Sequence, residues 1–104
     1  MTQNAIGVVE VNFFANSVVV LDEMMKRSRV DLIGCHKTLG GRMVHSVVAG
    51  STSSVNAAIE SAKQAEEKVG QGNVKVAVTI SNPHPEILRM MNMLNISLRD
   101  SSEL

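Results

Sequence analysis

Val30–Gly50 reads VDLIGCHKTLGGRMVHSVVAG, two apolar runs on either side of a turn that contains Gly40-Gly41. Glycine reaches the backbone conformations that a tight reversal needs, so this stretch is expected to be a β-hairpin. Val30–His36 supplies strand two and Met43–Ala49 supplies strand three. In strand three Met43, His45 and Val47 share one face, and Val44, Ser46 and Val48 share the other. The mixed polarity of these faces implies that part of the hairpin meets solvent or another subunit. The turn also brings Lys37 and Arg42. The strands beside it carry the only cysteine, Cys35, and two of the three histidines, His36 and His45. Chemistry or gating is expected here before anywhere else in the chain.

The segments on either side supply two helices and two more strands. Upstream, the Val-rich run Ala5–Val11 reads as strand one. Glu10 inside it is expected at the strand end in solvent, with pairing at a subunit boundary as the alternative. Asn12–Arg29 follows with Phe14, Val18, Leu21 and Met25 at helical spacing and Asn12 as N-cap. Lys26, Arg27 and Arg29 crowd its last turn, where cations complement the carbonyl end of the helix dipole. Downstream, Ser51–Ser54 offer N-caps for a helix over Ser51–Val69. Its stripe Val55, Ala58, Ala62, Ala65, Val69 is narrow enough to lie close to a sheet. Gly70 and Gly72 end it. Asn73–Ser81 alternates as strand four, with Val74, Val76, Val78 and Ile80 expected on the core side. Asn82-Pro83-His84-Pro85 is a turn. Glu86–Asn95 reads as a last helix with Ile87, Met90, Met91 and Leu94 on one side. The order is β-α-β-β-α-β plus a C-terminal helix: an α+β fold with an antiparallel sheet. The domain is expected over residues 1–96, followed by a polar tail over 97–104.

The composition bounds the function. A chain of 104 residues holds one core. With no Trp, no Tyr and two Phe, that core is aliphatic, and the aromatic platforms that stack single-stranded bases are missing. Ten basic and ten acidic residues cancel, so no long-range field attracts nucleic acid, and near-zero net charge favours association. One cysteine makes no intrachain disulfide. No run reaches the ~18 apolar residues that span a bilayer, and MTQNAIGVVEV lacks the charged and apolar regions of a signal peptide. The expected location is the cytoplasm. No nucleophile–base–acid set is present, and Gly40-Gly41 lacks the spacing of a phosphate loop. The expectation is a protein that is not an enzyme. His84 between two prolines reads as structural, and the Met-rich Met90–Met93 as a packing face.

Five pieces together carry a resemblance: AIGVVEV at Ala5–Val11, DEMMKRSRVDLIG at Asp22–Gly34, LGGRMV at Leu39–Val44, VVAGSTSSVNAAIESA at Val47–Ala62 and VAVTISNPHPEI at Val76–Ile87. In this order and spacing the chain resembles the bacterial microcompartment shell proteins of the single-domain, hexamer-forming type, over a core of residues 5–87. The resemblance implies a ferredoxin-like βαββαβ wedge. Copies of it would form a flat homohexameric tile that joins other shell proteins around encapsulated enzymes. It implies a central pore for small metabolites, lined by the turn between strands two and three. Aligned backward from Gly50, Leu39 falls on the family's aliphatic position and Gly40, Gly41 and Arg42 on its small triplet. Aligned forward from Gly34 the register slips by one, which places an extra residue around Cys35–Thr38. Lys26 matches a lysine that lies across tile edges. Asn82 stands where the family commonly has an arginine, and Arg27 and Arg29 are the candidates to substitute in that edge contact.

The Cys35-His36 pair lacks zinc-ligand spacing, so Cys35 is expected as a small buried residue and no cofactor is expected. Some shell proteins of the family hold an iron–sulfur cluster at the pore through cysteine. An electron-transfer component using Cys35 is therefore one alternative. A ferredoxin-like small-molecule-binding regulatory domain is the other.

Overall fold

The computed structural model describes residues 4–91. Four strands form one antiparallel sheet: β1 (Ala5–Asn12), β2 (Asp31–Thr38), β3 (Met43–Gly50) and β4 (Val74–Ser81), in the spatial order β2-β3-β1-β4. Helices α1 (Phe14–Arg27), α2 (Thr52–Gln64) and α3 (Glu66–Val69) connect them. This is the expected ferredoxin-like βαββαβ order. Residues 85–91 are helical, which agrees with the start of the expected last helix. Its continuation to Asn95 and the tail over 97–104 lie outside the described residues.

β1 is apolar on both faces, and each face builds a core. Ala5, Val9 and Val11 point toward α1 and α2, where they join Val20, Met24, Val48, Val55, Ala58, Ile59, Ala62 and Ala65. Ile6 points the other way and packs with Val47 and Ala49. Ile87 and Met91 of the last helix cover that second cluster. Gly7 lies on the first face. A Cβ there would stand 3.0 Å from Ile59 Cδ1 and 3.1 Å from both Val48 Cγ2 and Val55 Cγ1. The missing side chain is what lets α2 approach the sheet. The small-residue stripe of α2 agrees with this, since Val55, Ala58 and Ala62 have no exposed surface. Ser51 caps the helix as expected, accepting a hydrogen bond from the Ser54 N–H. The single helix expected over Ser51–Val69 is divided at Ala65 into α2 and α3.

Three expectations are corrected. Asn12 is the last residue of β1 rather than a cap. The N-cap is Phe13, without a capping side chain. In α1 the buried residues are Ser17, Val20, Glu23 and Met24, while Phe14, Val18 and Met25 of the expected stripe are about half exposed. Burial of this face is tolerated because its polar groups are satisfied. The Ser17 hydroxyl donates to the Phe14 carbonyl at 2.6 Å, and the Glu23 carboxylate accepts from Lys68 of α3. In β4 a bulge falls opposite Glu10 and Val11, which pair with Val76 and Val74 and skip Lys75. A bulge reverses the two-residue alternation. Val74 and Ala77 therefore pack toward the helices, and Val76, Val78 and Ile80 face outward with 38–45% exposure.

Two measurements check this packing. Gly7→Val overfills the gap between β1 and α2 and is expected to cost about 1–3 kcal/mol in urea unfolding. Gly34→Ala, which meets nothing within 4 Å, is expected to leave the midpoint unchanged. The Lys68 hydrogen bond holds the Glu23 carboxyl below its ordinary value of 4.5. Its stabilisation is therefore complete above pH 4.5 and is lost as pH falls through the folded-state value. Glu23→Gln is expected to lower stability at neutral pH and to flatten the fall of the urea midpoint below pH 4.5. An unchanged acid limb would contradict this.

Candidate functional site

The hairpin turn sits at one end of the sheet. β2 and β3 pair without interruption from Gly34–Val47 to Thr38–Met43, and the ladder's irregularity lies earlier, between Leu32 and Gly34. The extra residue expected around Cys35–Thr38 is thus not looped out of the strand. Leu39, Gly40 and Gly41 form a tight left-handed turn with positive φ of 54°, 66° and 89°. Glycine takes this conformation without a Cβ clash, whereas leucine holds it at a steric cost. Leu39 is the most exposed large apolar residue described, at 71%. Arg42 returns to right-handed backbone, its N–H donating to the Leu39 carbonyl at 3.3 Å, and its side chain lies on an exposed residue.

Two contacts fix the turn to the start of α1. The Phe13 N–H donates to the Arg42 carbonyl at 2.6 Å. The Lys37 ammonium lies 5.0 Å from the centre of the Phe14 ring, within the range of cation–π attraction. Phe13 holds φ 69° to make this link. Neither role was legible in the sequence, where Phe14 reads as part of the apolar stripe of the first helix and Phe13 carries no signal. The available signal was the lack of any linker between a strand and a helix, which demands an abrupt reversal.

The edge candidates lie at the other end of the molecule. α1 leaves β1 at Asn12, beside the turn, and ends at Arg27, next to the start of β2. There Asp31, Ala49, Ile6 and Ile80 lie in one row across the sheet. Lys26 is exposed and pairs with Asp22 Oδ2 at 2.8 Å. That hydrogen bond and charge raise the lysine pKa. Arg29 is exposed beside it in sequence. Asn82 follows β4 with φ 47° and donates its N–H to the Asn4 carbonyl at 2.8 Å. Asparagine tolerates this left-handed backbone better than most side chains do. Leu39–Arg42 and the set Lys26, Arg29, Asn82 are therefore at opposite ends; the first four residues are consecutive in one turn, whereas Arg29 precedes β2 and Asn82 follows β4, the two outer strands of the sheet, so the second set is spread across its width.

The cysteine and histidines are divided. Cys35 is opposite Ser46 in the ladder, on the helix-bearing face, half-buried, with the Ser46 hydroxyl 3.7 Å from its sulfur. His36 and His45 are opposite one another on the other face. Glu10 lies within β1 rather than at its end, half-buried, and its Oε2 is 3.2 Å from His45 Nδ1 of the same chain. His84 accepts from the Glu86 N–H through its Nδ1 at 3.1 Å, at the start of the last helix. An open cleft of about 430 Å³ lies between α1 and the α2–α3 junction, lined by Glu23, Arg27, Ser61 and Lys68 among others. Among the described residues no helix is long and apolar enough to cross a membrane.

Comparison with known proteins agrees with this architecture. The carboxysome shell protein CsoS1 of Prochlorococcus marinus is 36% identical over 83 residues, which cover 80% of this chain and 79% of that protein. The carboxysome assembly protein CcmO of Synechococcus elongatus is 35% identical over 74 residues, which cover 71% of this chain and 26% of that protein. A crystal structure of a microcompartment protein from Desulfitobacterium hafniense superimposes with a TM-score of 0.73 at 23% identity. The match covers 88% of this chain and 48% of that one, so it speaks for the fold over about half of that molecule. The BMC domain family matches residues 5–83, and the chain belongs to that family of bacterial microcompartment shell proteins.

Proposed function

We propose that this chain is a structural, non-enzymatic tile of a bacterial microcompartment shell. It forms homohexamers that join with other shell proteins around encapsulated enzymes in the cytoplasm. The observation that carries the reading is the placement of the turn and the edge residues at opposite ends of a family-typical wedge. When such wedges are arranged around an axis, the tips meet and the far ends form the rim. Leu39, Gly40, Gly41 and Arg42 then line a central opening for small metabolites, and Lys26, Arg29 and Asn82 lie where tiles abut.

Two physical features support assembly. Phe14, Val18, Val19 and Met25 on α1, and Val76, Val78 and Ile80 on β4, leave apolar surface uncovered in the single chain. Such clusters mark protein–protein contacts more often than scattered exposed residues do. Net charge is zero, so copies do not repel one another at long range. At the axis Arg42 would be repeated once per subunit. A ring of arginines attracts anions and opposes cations, as charged rings do in channels. No cofactor is needed for this role.

Native mass spectrometry is expected to give a hexamer, and a monomer at micromolar concentration would overturn the reading. Lys26→Ala is expected to keep that hexamer, because an exposed Lys26–Asp22 pair is worth at most about 1 kcal/mol. It should abolish extended sheets in electron microscopy. Arg42→Glu is expected to slow anionic permeants several-fold in reconstituted shells and to speed cationic ones. Equal fluxes before and after the substitution would remove Arg42 from the opening.

A further inference from the structure

Strand alternation separates Cys35 from the two histidines and joins those histidines to a carboxylate. His36 and His45 are direct cross-strand partners, and Glu10 is the partner of His45 on the next strand. The three form one row across β2, β3 and β1 on the face away from α1 and α2. The imidazole centres are 6.4 Å apart with planes inclined by 34°. Imidazole nitrogen binds zinc at about 2.0–2.1 Å, which puts two rings held at the tetrahedral angle about 5 Å apart, so the exposed His36 ring has to close by about 1 Å to share an ion with His45. His45 Nδ1 lies 3.2 Å from Glu10 Oε2, so its Nε2 is the nitrogen left to act as a ligand. A carboxylate behind a histidine in this way fixes the tautomer and the ring orientation. His45 keeps 38% of its side chain in solvent and His36 is exposed, so water can complete a coordination sphere.

We propose that His36 and His45 form a two-histidine chelate for a borderline divalent transition ion, Zn²⁺, Ni²⁺ or Cu²⁺, with Glu10 as the positioning residue. Neutral imidazoles suit these ions. Among the described residues no set of three or more His, Cys, Asp or Glu is gathered for a metal. The proposed site uses two protein ligands and water. A bound ion would join β2 to β3 two residue pairs from the last pair, Thr38–Met43, at the base of the turn. This inference stands independently of the proposed assembly.

The test is titration of the untagged full chain with Cu²⁺, read by electron paramagnetic resonance. One ion per chain with coupling to two imidazole nitrogens is expected. His36→Ala and His45→Ala should each remove one nitrogen and weaken binding at least tenfold. Glu10→Gln should keep both nitrogens and weaken binding by about tenfold, in line with lost outer-shell partners. His84→Asn and Cys35→Ser should change nothing. Absence of binding, a signal untouched by His36→Ala, or loss of binding in His84→Asn or Cys35→Ser would overturn the site. Because His36 is exposed on an edge strand, its variant decides the question even if His45→Ala fails to fold.

Discussion

Everything in this molecule depends on β1 being apolar on both faces. A strand buried on one side only needs a single layer of helices. Here Ala5, Val9 and Val11 require α1 and α2, while Ile6 requires a second cover, supplied by Ile87 and Met91. The close approach at Gly7 sets how near α2 can come, and the alanines of α2 are the complement of that gap. β1 also pairs with both β3 and β4. Its register therefore decides which residues of each neighbour face the helices. A one-residue shift would exchange the two cores.

The order of elements was legible because periodicity and punctuation agreed. Gly40-Gly41, the serines before α2 and Gly70 mark real boundaries, and alternation in Met43–Gly50 predicts its two faces correctly. Facing was illegible where both sides of an element are apolar. In β4 the run Val74, Val76, Val78, Ile80 looks like one face, but the bulge that skips Lys75 depends on pairing with Glu10 and Val11, far away in the chain. In α1 the strongest apolar stripe is not the buried one, since Ser17 and Glu23 find partners that the sequence does not advertise.

The turn shows the same division. Its location and residues follow from the hairpin, but its attachment to α1 does not. Phe13 adopts a left-handed φ so that its N–H reaches Arg42. Propensity would not place a phenylalanine there, and bulky residues hold such backbone only where the surroundings demand it. The histidines were legible as a pair near the turn. That Glu10 joins them and Cys35 leaves them follows from register alone.

The Phe13–Arg42 hydrogen bond has a mechanical meaning. It couples the turn to the head of α1, a rod of 14 residues, roughly 21 Å long at 1.5 Å per residue. Lys26 sits near the foot of the same rod. The hairpin tip and the end of the molecule that carries Lys26 are therefore linked through one helix, seated on the sheet through Val20 and Met24. A single residue, Phe13, thus separates β1 from this rod and also holds the Arg42 carbonyl, so the backbone of the turn and the helix that ends beside Lys26 share one anchoring point.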